Sequence, residues 1–185
     1  MDAINNITSR NSARELIEPH PSAQEMETVF EAALRAPDHA WLRPSTFIQI
    51  SGDGRKKLSQ IFIKTANELN KELTETQILK YTEAPFRAPM IIILISNPKD
   101  HPKVPPVEQI ISTGCAGQNI LLALNALGYG AMWRTGTFAF NKTISKHLGL
   151  EKSAEVIGYI YTGTRTGKNK TIPILDVKDY VDVWE

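Results

Sequence analysis

The chain has 185 residues, of which 42% are hydrophobic and 22% charged, and carries a formal net charge of +1. That balance suits one soluble domain over residues 1–185, or one protomer of a dimer with a shared core, and excludes a disordered or fibrous chain. A charge so near neutrality gives no general attraction to nucleic acid or acidic membranes, so any anion site must come from a local cluster. In chain order, a short helix is expected from Ala3 to about Thr8 with Asp2 as its cap. A clearer one covers 22–35, where Ser22 and Glu25 form a capping box and Met26, Val29, Phe30, Ala33 and Leu34 mark one face. The Ala36-Pro37 step stops it.

Thr46 to Ser51 reads as a strand closed by Gly52-Asp53-Gly54, and Leu58, Ile61, Phe62, Thr65, Ala66 and Leu69 then recur at helical spacing. Met90 to Ile95 is apolar on both faces, as a central strand covered on both sides must be. The longest helix spans about Val107 to Leu127. Its small residues Gly114, Cys115, Ala116 and Gly117 invite close approach of another helix, which we expect to be its own copy across a twofold axis. Strands at 129–135 and 155–163 flank a short helix at 141–148, capped by Asn141 and closed by Gly149. The tail 164–185 carries Ile172, Ile174, Leu175, Val177, Tyr180, Val181, Val183 and Trp184, and is expected to lie on the other subunit. This order gives an α+β fold, one mixed β-sheet flanked by helices, in an intertwined homodimer.

Dinucleotide-binding, P-loop and hydrolase-elbow fingerprints are absent, and the four histidines have no zinc-ligand spacing, so no metal site is expected. A single cysteine, Cys115, forms no intrachain disulfide, and no apolar run has signal-peptide or membrane-spanning length, which points to the cytoplasm. Cys115 has no partner that would activate it and reads as packing. Three patches remain. Arg10-Asn11-Ser12-Ala13-Arg14 can clasp a phosphate through guanidinium forks and a hydroxyl, or be a solvated basic turn. The second, Arg35 to Pro44, is a proline-bounded loop carrying Arg35, His39 and Arg43, a usual seat for binding residues and equally a plain helix stop. The third runs from Gly128 to Gly136. There a strand ends in Trp133-Arg134-Thr135, whose backbone can meet a flat ligand, although Trp133 can also be core alone.

Taken together and in order, these patches resemble the nitroreductase family of FMN-dependent NAD(P)H oxidoreductases, closest to its small YdjA-type branch. The resemblance is carried by Met-Asp-Ala with R-x-S at Arg10 and Ser12, R-A-P-D-H at Arg35 to His39, and A-P-F-R-A-P at Ala84 to Pro89. To these are added K-V-P-x-x-E-Q at Lys103 to Gln109 and G-x-G-x-x-W-R-[ST]-G at Gly128 to Gly136. It implies an FMN held between two subunits, with no side chain acting as acid or base because the chemistry sits on flavin N5. Arg10, Asn11 and Ser12 then match the phosphate and ribityl contacts, with Asn11 standing where many relatives carry a basic residue. Arg14 matches the cation near N1 and the C2 carbonyl. Arg35 and His39 match contacts from the partner subunit; Trp133, Arg134 and Thr135 match the strand end near N5; Arg165 matches a second phosphate contact. Arg43 and Ser45 depart from the family pattern beside the acceptor. The implied reaction passes hydride from a nicotinamide through the flavin to a nitroaromatic, quinone or similar conjugated oxidant. An alternative is an FMN carrier or sensor without nicotinamide turnover.

Overall fold

In a computed structural model that describes residues 2–70, 72–168 and 170–185, the isoleucine-rich run becomes β3 (Met90–Ser96), buried at every position. Strand alternation sends Ile91, Ile93 and Ile95 into one core with Leu58 and Phe62, and Met90, Ile92 and Leu94 into another with Val29, Ala116 and Ile120. Helices therefore cover both faces, which is why no polar alternation is written there. On one side β3 pairs with β2 (Ser45–Ser51), the outer strand, and on the other with β5 (Glu155–Arg165). The far edge of β5 is shared by β4 (Gly130–Arg134) and, beyond it, the two-residue β1 (Leu16–Ile17).

The α+β class holds, but the sheet is antiparallel in every pairing among the described residues rather than mixed. The reason is the placement of β5. A helical crossover, α5 (Pro106–Ala126), joins β3 to β4, and these two strands do run parallel as such a crossover requires. β5 lies between them and pairs antiparallel with both.

Local chemistry sets the helices. Asp2 accepts the Asn5 N–H at the start of α1 (Ala3–Ser9), and both halves of the Ser22/Glu25 capping box form on α2 (Ala23–Ala33). α3 (Gly54–Leu69) and α6 (Lys142–His147, capped by Asn141) stand as expected. α4 (Glu75–Glu83) was not read from the sequence. Its Thr74/Gln77 capping box is present, but Tyr81 is its one buried residue, so no apolar stripe announces it.

The small residues of α5 serve this chain more than a second copy. A side chain on Gly117 would meet Trp133 and Leu94, and Ala116 is buried in the core that α2 shares. Gly114 opens outward, in line with exposed Val107 (58%) and Ile111 (60%), and Cys115 is half-buried. From Lys170 onward the tail is exposed throughout its described length and contains one short turn, Val177–Asp179. No helix among the described residues is long and apolar enough to cross a membrane.

Candidate functional site

The first and third patches meet at the outer edge of β4. The Ala13 N–H donates to the Ala131 carbonyl at 3.0 Å, laying residues 11–15 along that edge. Gly130 is needed there, because a side chain at that position would run into Leu16, Ala13 and Arg165. Backbone groups two residues apart on a strand point the same way, so Trp133 turns its N–H and C=O to this edge, past the stretch that Ala13 covers. The indole of Trp133 goes elsewhere. It packs over Gly158 and against Gly117 on the α5 side, which leaves only the backbone of this residue for a ligand on the edge.

Beside this edge lies a cavity of about 180 Å³ lined by Asn11, Ser12, Arg14 and Glu15 and, from the end of β5 onward, by Arg165, Lys168 and Lys170. Arg165 is set by Asn11: its guanidinium donates to the Asn11 side-chain oxygen at 3.1 Å and to the Asn11 carbonyl at 3.2 Å. Asn11, expected as a weakened phosphate contact, is thus the residue that orients Arg165. The Thr166 N–H donates to the Glu15 carbonyl at 3.2 Å and closes the two walls. Arg10 ends α1 half-buried and does not line the cavity. Lys168 and Lys170 were missed, because a polar tail with spaced lysines carries no signal until β1 and β5 bring it back beside residues 11–15.

Arg134 points to the opposite face from Trp133. Its guanidinium lies over the Tyr161 ring, 5.5 Å from the centroid, and its Nε is buried without a hydrogen-bond partner. Burial first, then the charges of Arg87 and Arg14, hold its proton affinity below the usual arginine value. Arg14, Arg87 and Arg134 therefore share one region of positive potential beside the strand end. Burial pushes the Tyr161 hydroxyl up while the same Arg87 and Arg134 pull it down.

Arg35 and His39 line neither the cavity at Ser12 nor the one at Arg134. Their loop is pinned to the start of α5. His39 Nδ1 lies 2.9 Å from Glu108, and Ser112 donates to the Pro37 carbonyl at 2.6 Å. Asp38 pairs with neither Arg35 nor His39; its carboxylate accepts the N–H groups of Leu42 and Arg43 at 3.1 and 2.8 Å. That clasp holds Ala40, Trp41 and Arg43 at positive φ (57°, 55° and 52°), a conformation that costs energy for residues with side chains. It also leaves Trp41 79% exposed, a feature invisible in the sequence.

A profile of the Nitroreductase family matches residues 7–164. The Escherichia coli K12 protein named "Putative NAD(P)H nitroreductase YdjA" is 33% identical over 171 residues, 92% of each chain. Among solved structures, a nitroreductase-like family protein from Bacillus cereus superposes with a TM-score of 0.85 at 20% identity, covering 100% of this chain and 97% of that one. A nitroreductase with bound FMN from Bacteroides fragilis gives 0.75 at 19%, covering both chains completely. With the profile spanning most of its length and a relative at this identity, the chain belongs to the Nitroreductase family.

Proposed function

We propose that this protein is a cytoplasmic, homodimeric oxidoreductase, one domain over residues 1–185. It binds FMN and passes reducing equivalents from NAD(P)H to a nitroaromatic, quinone or similar conjugated acceptor. The observation that carries this reading is the cavity where Ser12, Arg14 and Arg165 converge beside the open edge of β4. Its donors suit a phosphate: a hydroxyl, two guanidinium groups and two lysines, against one carboxylate, Glu15. Support comes from family membership, from the NAD(P)H in the Escherichia coli relative's name and from the FMN in the Bacteroides fragilis structure.

When bound, FMN would supply the hydride-transfer chemistry between NAD(P)H and the oxidant. The chain supplies position and charge. Ser12, Arg165, Lys168 and Lys170 hold the phosphate, with Arg10 on its approach and Asn11 fixing the Arg165 fork. Arg14 sets a positive charge toward the pyrimidine end, where reduction places negative charge, and Arg134 adds to the same potential. The backbone at Trp133 to Thr135 faces the ring edge. Arg35 and His39, which stand apart from this group in one chain, come from the partner subunit.

The dimer has physical support in this chain. Ile4 and Ile7 on α1 are 70% and 52% exposed, and Val107 and Ile111 on α5 are exposed as well, apolar side chains that a second subunit would cover. The tail leaves Ile174 and Trp184 at 100% and 95% exposure, and the outer edge of β2 has open backbone groups. Exchange of tails between subunits covers both. To test the reaction, FMN-loaded protein is mixed anaerobically with NADH or NADPH in a stopped-flow instrument. Bleaching of the flavin band, with return of colour on adding a nitroaromatic, is the expected result. Retained flavin that neither nucleotide bleaches makes the protein a carrier or sensor instead.

A further inference from the structure

On the α3–α4 side of the sheet, past the end of β4, lies a second cavity of about 180 Å³ that shares no lining residue with the one at Ser12. Its floor is aromatic. Phe62 stacks on Phe138 at 4.5 Å between centroids, and Tyr159 and Tyr81 meet these rings edge-on at 5.5 and 5.0 Å. Among the described residues its rim carries three cations, Lys80, Arg87 and Arg134, and no carboxylate lines it. None of these cations is in an ion pair among the described residues. Arg134 also leaves its buried Nε without an acceptor.

Cations gathered over an aromatic floor without a counter-charge repel one another, and burial strengthens that repulsion. An anionic group relieves it and supplies the missing acceptor. A carboxylate suits best, because its two oxygens match a guanidinium fork. Size narrows the ligand further. Pockets that enclose drug-sized molecules run to about 300–1,000 Å³, so this one takes a single substituted ring and not a dinucleotide.

We infer that this cavity is an acceptor subsite that receives the carboxylate of a small anionic aromatic oxidant, with Arg87 and Arg134 as its anchors and Lys80 at its mouth. The inference rests on the flavin reading only for turnover; binding of the anion does not require the cofactor. Thr135, itself placed at the flavin edge, and Gly136 after it line the cavity, so an acceptor held here lies next to that edge.

The test compares 4-nitrobenzoate with its uncharged analogue 4-nitrobenzamide, in wild type and in Arg87→Ala. Arg87 is exposed, so the substitution leaves the core intact. Loss of one charge-assisted contact is expected to lower the ratio of kcat/KM for the acid over the amide about ten- to a hundredfold. Arg87→Lys, which keeps the charge but not the fork, is expected to restore part of it. Calorimetric titration of 4-nitrobenzoate into protein without FMN is expected to weaken by a similar factor in Arg87→Ala. An unchanged ratio together with unchanged calorimetric affinity overturns the subsite. So does an equal loss of FMN affinity in Arg87→Ala, since that places Arg87 in the cofactor site. If wild type binds no flavin, the reading of the reaction fails while the cofactor-free titration still decides the subsite.

Discussion

Trp133 separates two jobs within three residues of chain. Its indole fills the space left by Gly158 and Gly117, while its backbone stays on the open edge of β4 and Arg134 projects to the other face. A methyl group at Gly158 lands on the indole, so Gly158→Ala should destabilise the fold by about 1–3 kcal/mol through overpacking. Thermal unfolding checks this; an unchanged Tm means that the indole moves freely and does not fix β4. Arg14→Ala removes the cation proposed for the pyrimidine end of FMN and should weaken FMN binding by about 1.5–3 kcal/mol, read by fluorescence titration. An unchanged dissociation constant removes Arg14 from the site. As candidates, Ser12 and Arg14 were legible in the sequence because their residue types suit a phosphate, and Arg165 only through the family resemblance. Lys168, Lys170 and Arg87 were not, because their placement depends on sheet pairing and a 3-10 turn that no local pattern announces. The orienting role of Asn11 was also hidden, since it rests on hydrogen bonds across 154 positions of chain.

The long, well-patterned elements came through the sequence with ends displaced by a few residues. β3 and α5 did so because burial on both sides and unbroken helical spacing leave strong signatures. α4 and β1 did not, one being mostly exposed and the other two residues long. The helix caps give the cleanest test of this level. Ser22 accepts the Glu25 N–H, and Ser22→Ala should cost about 1 kcal/mol of stability, seen as a lowered denaturation midpoint. Glu25 adds a pH dependence. Hydrogen bonds from the Ser22 backbone, the Ser22 hydroxyl and the Tyr129 hydroxyl hold its carboxyl below the ordinary value of 4.5. A carboxylate held low in the folded state contributes stability above its unfolded value and loses it as pH falls through the folded one. Glu25→Gln should therefore be less stable than wild type at neutral pH, with the difference closing below pH 4.5. A difference independent of pH makes the contribution of Glu25 steric.

In the proposed assembly, two subunits would contribute to one site. One chain gathers Arg14 and Arg165 beside the edge of β4, turns Arg134 to the opposite face, and holds Arg35 and His39 on a strained loop against α5. In the dimer we propose, two chains meeting through the exposed apolar residues of α5 would bring the loop of one to the edge of the other. Of the small residues expected at this contact, Gly117 faces the sheet, while Gly114 opens outward on the same side as exposed Ile111. Ile111→Glu should then yield a folded monomer, seen by light scattering, that has lost FMN affinity; a monomer that keeps its flavin rules out a shared site. A visible absorption spectrum of purified protein, incubated with FMN and then desalted, decides whether Ser12, Arg14 and Arg165 build an FMN site. Flavin bands at near-stoichiometric intensity are the expected result, and a colourless protein rules the site out.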